Sequence, residues 1–177
     1  MGVPISDPVA PKGPGAGDMF LSVKGSKSGT INGEAQDQSH KNEIEVLAWS
    51  WGMQGKPSLG GGTAAGKATI RELRITKRVD KASTALMSAL RSNELINEAT
   101  LTLRKIGKTP LEYLKIKIQN GRVMAIDLEA GDSSSSPALF ERVSFSFNKI
   151  SIQYTPQGPD GNALGATSFD DEWTTAS

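Results

Sequence analysis

The chain has 177 residues, and its 20 Lys and Arg nearly balance its 19 Asp and Glu, leaving a formal net charge of +1. This balance excludes a whole-molecule field that would steer the protein toward nucleic acid or anionic lipid. The length suits one domain with its own core, and the lack of cysteine excludes disulfides and thiolate metal sites.

The first 18 residues, MGVPISDPVAPKGPGAGD, are rich in Pro and Gly and predict a flexible arm before a single domain of residues 19–177. The arm has neither a basic start nor an apolar stretch, so we expect that it is not a Sec signal peptide. No apolar run approaches the roughly 20 residues that cross a bilayer, so we expect no membrane insertion.

Alternation of apolar and polar residues dominates the chain and predicts strands with one face in a core. The segments with this pattern are DMFLSVKG, ATIRELRITKRV, NEATLTLRK, LEYLKIKI and RVMAIDL. In RVMAIDL the pattern places Met124, Ile126 and Leu128 inward. In ATIRELRITKRV it places Leu73 and Ile75 inward, and we count Lys77 among the basic residues on outward faces.

The stretch EIEVLAWSWGMQG, residues 43–55, is apolar on both faces of its predicted strand. Leu47, Trp49 and Trp51 alternate with a second apolar set: Ile44, Val46 and Ala48. A strand that is apolar on both faces is covered on both sides. The cover of the two indoles is either the helix and core of the same subunit or the seam with another subunit.

The segment DKASTALMSALRSN predicts one helix at about residues 80–93, with Asp80 as the N-cap and Asn93 as the stop. Its apolar stripe is Ala82, Leu86 and Leu90. The run 143–154 changes its apolar face near Asn148, which predicts a β-bulge or a strand that crosses between sheets. The fold class is therefore mainly β: an antiparallel β-barrel of two packed sheets with one flanking α-helix.

Candidate chemistry is sparse. His40 is the single histidine, so a Ser–His–Asp hydrolase would have to use it, but a polar role at a strand entrance, bonded to the loop, is the simpler interpretation. No spacing of carboxylates indicates acid–base catalysis or a metal site, so we assign no catalytic, cofactor-binding or metal residues. The basic strands would suit an RNA-binding barrel, but only Tyr113 interleaves with them, so solvated strand faces are the simpler interpretation.

The chain from residue 150 onward contains no Lys or Arg and carries Asp170, Asp171 and Glu172 near its end. This acidic tail and the basic middle strands suggest a head-to-tail contact, in which the tail of one copy lies on the strands of the next.

Four segments in order resemble the haemolysin-coregulated proteins, Hcp, which form the inner tube of the bacterial type VI secretion system. They are GEAQDQSHKNEIEVLAWSWG, ITKRVDKAS, EATLTLRKIGKTPLEYLKIKI and VSFSFNKISIQYTPQGPDG. The resemblance runs from about Met19 to Trp173. The chain departs from the family pattern in its longer N-terminal arm and in Ala35 and Ala48, where serine is common.

The resemblance implies a barrel with a flanking helix, assembled as homohexameric rings that stack into a tube. It also implies a spike protein at the tip, a contractile sheath around the tube and small effector proteins in the lumen. Such a subunit is no enzyme, needs no cofactor and binds no nucleic acid. It is assembled in the bacterial cytoplasm and secreted to the extracellular space or a target cell. The alternative is a small binding module or effector chaperone that acts as free rings.

Subunit and ring contacts are expected from three places: the indole strand, the extended loop 55–67 and the acidic tail. Glycines in the loop allow close backbone approach to a neighbour. The candidate contact residues are Trp49, Trp51, Lys56, Ser58, Leu59, Gly60, Gly61, Asp170, Asp171 and Trp173.

Overall fold

The computed structural model describes residues 18–55, 68–107, 110–130 and 139–173. Most of the predicted arm and of the loop 55–67 lies outside them. They contain eleven strands and one helix: β1 (Asp18–Gly25), β2 (Gly29–Ile31), β3 (Ile44–Ser50), β4 (Met53–Gln54), β5 (Thr69–Ile70), β6 (Leu73–Arg78), α1 (Ala82–Arg91), β7 (Ile96–Lys105), β8 (Leu111–Ala130), β9 (Leu139–Ser146), β10 (Lys149–Tyr154) and β11 (Thr167–Glu172).

Six antiparallel strands close into a barrel in the order β8, β7, β1, β3, β6 and β9, with β9 pairing back onto β8. Strands β10 and β11 continue outward from β8 and form a two-stranded extension, which we call the flap. Strand β2 pairs with β1, and β4 pairs only with β5 as a separate ribbon. The predicted mainly β barrel with a flanking helix is therefore confirmed.

The barrel core consists of the inward faces of these strands. The predicted inward residues Leu101, Ile116 and Phe145 are fully or almost fully buried. Helix α1 adds Ala82 and Leu86 to the same cluster, as its stripe predicts. Burial of about twenty apolar side chains supplies the main favourable term in folding.

The prediction of two separate strands in the region of β8 is wrong. LEYLKIKI and RVMAIDL form one strand of 20 residues, not two. Its N-terminal part pairs with β7 and β10, and its C-terminal part pairs with β9. The change of partner from β7 to β9 falls between Gly121 and Arg122, and a Cβ atom at Gly121 would lie 2.2 Å from the Ser146 carbonyl oxygen.

The predicted inward position of Met124 is wrong. A register shift between Val123 and Ala125 in the β8–β9 pairing makes Met124 the bulged residue. Val123 is therefore buried opposite Phe145, and Met124 is 49% exposed. Beyond this bulge Ile126 lies opposite the buried Val143 and packs against the core, as predicted, whereas Leu128 is 53% exposed and its predicted burial is wrong.

Helix α1 is shorter than the predicted range 80–93. Its N-cap position is Lys81, one residue after the predicted cap, but the Asp80 carboxylate still accepts a hydrogen bond from the Ala82 amide at 2.9 Å. Asn93 has a left-handed φ of 51°, and its amide donates to the Leu90 carbonyl. The predicted stop is therefore confirmed.

The phase change near Asn148 separates two strands, β9 and β10, which pair with successive parts of β8. The run is therefore two strands and not the single bulged or crossing strand that the sequence predicted. Similarly, ATIRELRITKRV forms two strands, since β5 pairs with β4 and only β6 enters the barrel.

Candidate subunit-contact surfaces

The indole strand does not keep the predicted alternation. A register shift in the β3–β6 pairing lies between Val46 and Ala48, so Leu47 is bulged. Beyond it Trp49 is opposite Ile75, whose side chain is buried, while before it Val46 is opposite Lys77 on the same face of β6. The prediction that Leu47 and Trp49 share a face away from Val46 is therefore wrong.

Both indoles pack against the chain's own core and remain half-buried. Trp51 lies just beyond the end of β3, and its Nε1 is buried with no hydrogen-bond partner among the described residues. A depression of about 370 Å³ beside it is lined by Ser50, Trp51, Gly52, Ile70, Arg71, Glu72 and Arg74. The core thus covers part of each ring, and Trp51 also borders a surface depression that a neighbour can fill.

The predicted loop contacts Lys56, Ser58, Leu59, Gly60 and Gly61 lie outside the described residues. The β4–β5 ribbon leads into and out of this loop, with Met53 opposite Ile70. Met53 is one of the exposed large apolar residues.

The acidic tail forms β11, which pairs with β10 of the same chain. Asp170 is opposite Ser151 and Asp171 is opposite Ile150, and all six residues of β11 are exposed. Trp173 follows the strand, donates its amide to the Asn148 carbonyl at 2.9 Å and meets Phe147 edge-on at 5.5 Å. The tail backbone is therefore part of the chain's own sheet.

Two lysines of the basic strands form ion pairs within the chain. Lys117 pairs with Glu98 at 2.7 Å, and Lys115 pairs with Glu112 at 2.6 Å. Two of the cations that the head-to-tail hypothesis invoked are therefore paired within the chain, and the contact itself stays a prediction. Lys105 lies over the Tyr113 ring, 5.4 Å from its centroid, so the RNA-binding interpretation stays an untested alternative.

The prediction that Lys77 faces outward is wrong. It is fully buried on the inward face of β6, and its Nζ donates to Glu141, to the Asp80 carboxylate at 2.7 Å and to the Arg78 carbonyl at 2.8 Å. The Ser83 hydroxyl donates to the same oxygen of Glu141 at 2.8 Å. This buried cluster joins β6, β9 and the start of α1, and its role is structural.

His40 lies at the entrance of β3, as predicted, and is almost fully buried. Its Nδ1 is 2.9 Å from a Glu43 oxygen and its Nε2 is 3.1 Å from a Glu112 oxygen. Since both ring nitrogens face carboxylates, neither is placed to accept a proton from a serine hydroxyl. The Ser–His–Asp arrangement is therefore not formed.

Two carboxylates near His40, those of Asp37 and Glu112, have lowered pKa values because of their hydrogen bonds and neighbouring charges. The Arg104 guanidinium donates to Asp37 at 2.6 and 3.1 Å and lowers the pKa of that carboxyl to about 2. Burial raises the pKa of Glu112, but the hydrogen bond and charge of Lys115, together with His40, hold it below its ordinary value. Both carboxylates are ionised at neutral pH.

Besides Met53, Ile106 and Leu164, two groups of large apolar side chains are exposed. On the flap, Ile150 is buried and Ile152 half-buried, but Tyr154 and Phe169 on the same face are 47% and 41% exposed. The second set lies on the C-terminal part of β8 and the start of β9: Met124, Leu128 and Leu139, each about half exposed. Alternation predicts which face Tyr154 occupies but not whether the barrel extends far enough to cover it.

Two general features concern the described residues only. They contain no helix that is long and apolar enough to cross a membrane. They also contain no group of three or more His, Asp or Glu side chains that would hold a metal ion.

Comparison with known proteins shows where this arrangement recurs. The family described as type VI secretion system effector, Hcp, matches residues 20–154. Protein hcp1 of Pseudomonas aeruginosa is 38% identical over 147 residues, which cover 81% of this chain and 86% of that protein.

Solved structures agree. A type VI secretion system effector from Yersinia pestis is 31% identical with a TM-score of 0.68, and the match covers 88% of this chain and 100% of that one. Hcp1 from Salmonella typhimurium is 30% identical with a TM-score of 0.66, over 88% and 94% of the two chains. Because the family match spans most of the sequence and the fold is shared, the chain belongs to the Hcp family of type VI secretion proteins.

Proposed function

We propose that six copies of this chain form a closed ring, and that these rings stack into the inner tube of a type VI secretion system. The observation that supports the proposal is the exposed apolar face of the flap, together with exposed apolar side chains elsewhere on the subunit, on β8 and β9. A head-to-tail ring needs two different surfaces on each subunit, whereas a two-fold dimer needs one surface that matches itself.

The flap surface has the character of an unfinished core. Ile150, Ile152 and Tyr154 alternate on β10, with Phe169 opposite Ile152, and exposure rises along the strand away from the barrel. Soluble monomers rarely leave contiguous apolar patches uncovered, so a neighbouring subunit is the natural cover. Membership of a tube-forming family supports the same neighbour, a second copy of this chain.

A paired substitution tests the ring. Phe169→Ser removes a large apolar side chain from the flap surface, and Gln153→Ser shortens a side chain next to Tyr154 on the opposite face of β10. We expect Phe169→Ser to lower the mass measured by light scattering toward that of the monomer, while Gln153→Ser leaves the ring mass unchanged. Equal masses for both variants and the parent would contradict this use of the flap.

A carrier role for effector proteins is a second candidate, supported by the outward face of β6, β8 and β9. Two adjacent depressions of about 230 and 210 Å³ share Thr76, Asp127 and Arg142. They are smaller than typical small-molecule pockets and open, which suits side chains of a protein. If this face holds cargo, Thr76→Trp will reduce the amount of a co-expressed small effector that stays with the ring, without changing the ring mass.

In this proposal the subunit acts by assembly and has no enzymatic activity of its own. Its further partners are the spike protein at the tip of the tube and the contractile sheath around it. The ring is assembled in the cytoplasm and leaves the cell by injection. In this proposal the domain of residues 19–177 supplies the contacts between subunits.

A further inference from the structure

Residues 32–43 join β2 to β3 and fold back on themselves across the barrel rim; we call them the strap. Three backbone hydrogen bonds close it: Gly33 to Asn42 at 2.8 Å, Ala35 to Glu43 at 3.0 Å and Asn42 to Ala35 at 2.9 Å. Ala35 is fully buried. The strap leads directly into β3, the strand that carries Trp49, so its position determines how that strand enters the barrel.

Two ionic contacts fasten the strap to neighbouring strands. Asp37 accepts both hydrogen bonds from Arg104 of β7, and a third reaches Asp18 of β1 at 2.7 Å. His40 forms the second contact through Glu112 of β8. Its ring also stacks on Phe20 of β1, with centroids 4.3 Å apart and planes 9° apart.

The His40 contact requires a particular protonation state. An ionised carboxylate only accepts hydrogen bonds, and Glu43 and Glu112 occupy the two ring nitrogens. Both nitrogens must therefore carry a proton, which makes the ring an imidazolium. A neutral ring would point one lone pair at a carboxylate, replacing a charge-assisted hydrogen bond with repulsion.

The other charges near His40 are already engaged. Asp37 also accepts a hydrogen bond from the His40 amide at 3.2 Å. The Arg104 guanidinium lies 5.3 Å from the centroid of Phe20 and is paired with Asp37 and Asp18. Lys115 binds the other oxygen of Glu112 at 2.6 Å. Among the described residues, Glu43 and Glu112 are the hydrogen-bond partners of its two ring nitrogens.

We propose that His40 is a pH-sensitive latch that holds the strap against β8 while both ring nitrogens are protonated and releases it when one proton is lost. Histidine is the side chain that ordinarily changes charge near neutral pH. The stabilisation is therefore present at acidic pH and lost as the pH rises. The latch lies within one subunit, so it does not depend on the proposed ring and is measurable whether or not rings form.

The single histidine of the chain makes its protonation directly observable. Labelling histidine with ¹⁵N and recording the two ring nitrogens by NMR from about pH 5.5 to 9 gives the state of His40 without assignment. We expect both nitrogens protonated at the acidic end and one at the alkaline end. A neutral ring at the acidic end, or a ring that keeps both protons throughout, would overturn the proposal.

Hydrogen exchange then measures the strap. Relative to intrinsic exchange rates, the amides of Gly33, Ala35 and Asn42 should lose about tenfold protection as the ring loses its proton, the size expected for one charge-assisted hydrogen bond. Amides of the barrel strand β7 serve as an internal reference and should not change. Unchanged strap protection across the titration would contradict the latch.

Two variants separate the latch from general rim stability. In Glu112→Gln the amide can donate to a neutral Nε2, so we expect strap protection to become independent of pH. Lys115→Gln removes the cation on the other side of Glu112 without touching His40, and should keep the pH dependence. If Glu112→Gln shows the same loss of protection as the parent chain, the strap responds to another group and the proposal fails.

Discussion

The barrel and the flap of this Hcp-family chain use the same alternating pattern with different results. In the barrel, β7 directs Ala99, Leu101 and Leu103 inward, and all three are buried. In the flap, β10 directs Ile150, Ile152 and Tyr154 toward one face, but burial decreases along the strand until Tyr154 is about half exposed. The barrel satisfies its apolar residues within one subunit, whereas the flap leaves part of its apolar face for a neighbour.

Edge geometry shows the same contrast. Each barrel strand has a partner on both sides because the sheet closes on itself through β8 and β9. Within the described residues, β11 is an edge strand with a row of unpaired backbone groups and three acidic side chains at its end. Charged edge strands discourage uncontrolled pairing, so the flap is suited to a specific neighbour rather than to open aggregation.

The largest effect is expected from breaking the buried Lys77–Glu141 pair inside the barrel. Glu141→Leu leaves a buried ammonium without its main partner, and should lower the free energy of unfolding by about 3–5 kcal/mol. The double variant Lys77→Met with Glu141→Leu should recover most of that loss because it removes both charges. Urea unfolding of the two variants at equal protein concentration measures the difference, and equal destabilisation would contradict a paired role.

Truncating one apolar residue in the barrel and one in the flap compares how much each region contributes to the free energy of unfolding. Leu101→Ala creates a cavity in the barrel core and should cost about 2–5 kcal/mol of unfolding free energy. Phe169→Ser on the flap should cost less, about 1 kcal/mol, when measured on dissociated subunits, because its side chain is already exposed. Thermal or urea unfolding at dilute concentration provides the test; a larger cost for Phe169→Ser would mean that the flap is part of the subunit core.

Acid should loosen the β1–β2 turn of the barrel. Burial raises the pKa of Glu94, but hydrogen bonds from the Ser28 amide and hydroxyl and from the Lys27 amide outweigh it, so the pKa lies below the ordinary value. A lowered pKa in the folded state gives stability that is present above about pH 4.5 and lost as the pH falls below it.

Gly25→Ala gives the matching test at neutral pH, since a Cβ there would lie 2.3 Å from the Glu94 carboxylate. We expect a loss of about 1–3 kcal/mol in the free energy of unfolding, the size of a hydrogen-bond set to a buried charge. The substitution should also flatten the acid dependence of unfolding below pH 4.5. An unchanged acid profile would show that Glu94 does not supply it.

The smallest effect concerns the tail charges of the flap. Asp170 and Asp171 are exposed, so replacing both by Asn should change subunit stability by no more than about 0.5 kcal/mol. If ring contacts use the apolar face of the flap, the double variant should also keep the native mass at low and high salt. Loss of the ring in this variant would support the electrostatic head-to-tail hypothesis.

The sequence was sufficient for the barrel and its family and insufficient for the contact surfaces. Strict alternation predicted the inward faces of β7 and β9, and the apolar stripe and Asn93 predicted α1. The bulges at Leu47 and Met124 altered which residues share a face of the strand. They were not predicted because an extra residue leaves no local signal in an otherwise alternating run.

The remaining differences between predicted and observed burial depend on contacts with residues that are distant in the sequence. Lys77 occupies an inward position of β6, where its charge is tolerated because it pairs with Glu141 and Asp80. Glu141 is far away in the sequence and Asp80 lies beyond the end of the strand, so the pattern of β6 alone does not predict either pair. Tyr154 and Phe169 have the pattern of core residues, but they lie on strands outside the closed barrel. Whether a strand belongs to the barrel depends on long-range pairing, which the alternation of one segment does not encode.

The native mass of the unmodified chain, measured by light scattering coupled to size exclusion over a range of concentrations, tests the central claim most directly. We predict a mass near six subunits, because a closed head-to-tail ring would cover the exposed apolar side chains of the flap and of β8 and β9. A chain that stays monomeric at the highest concentration, with and without residues 1–18, would contradict it.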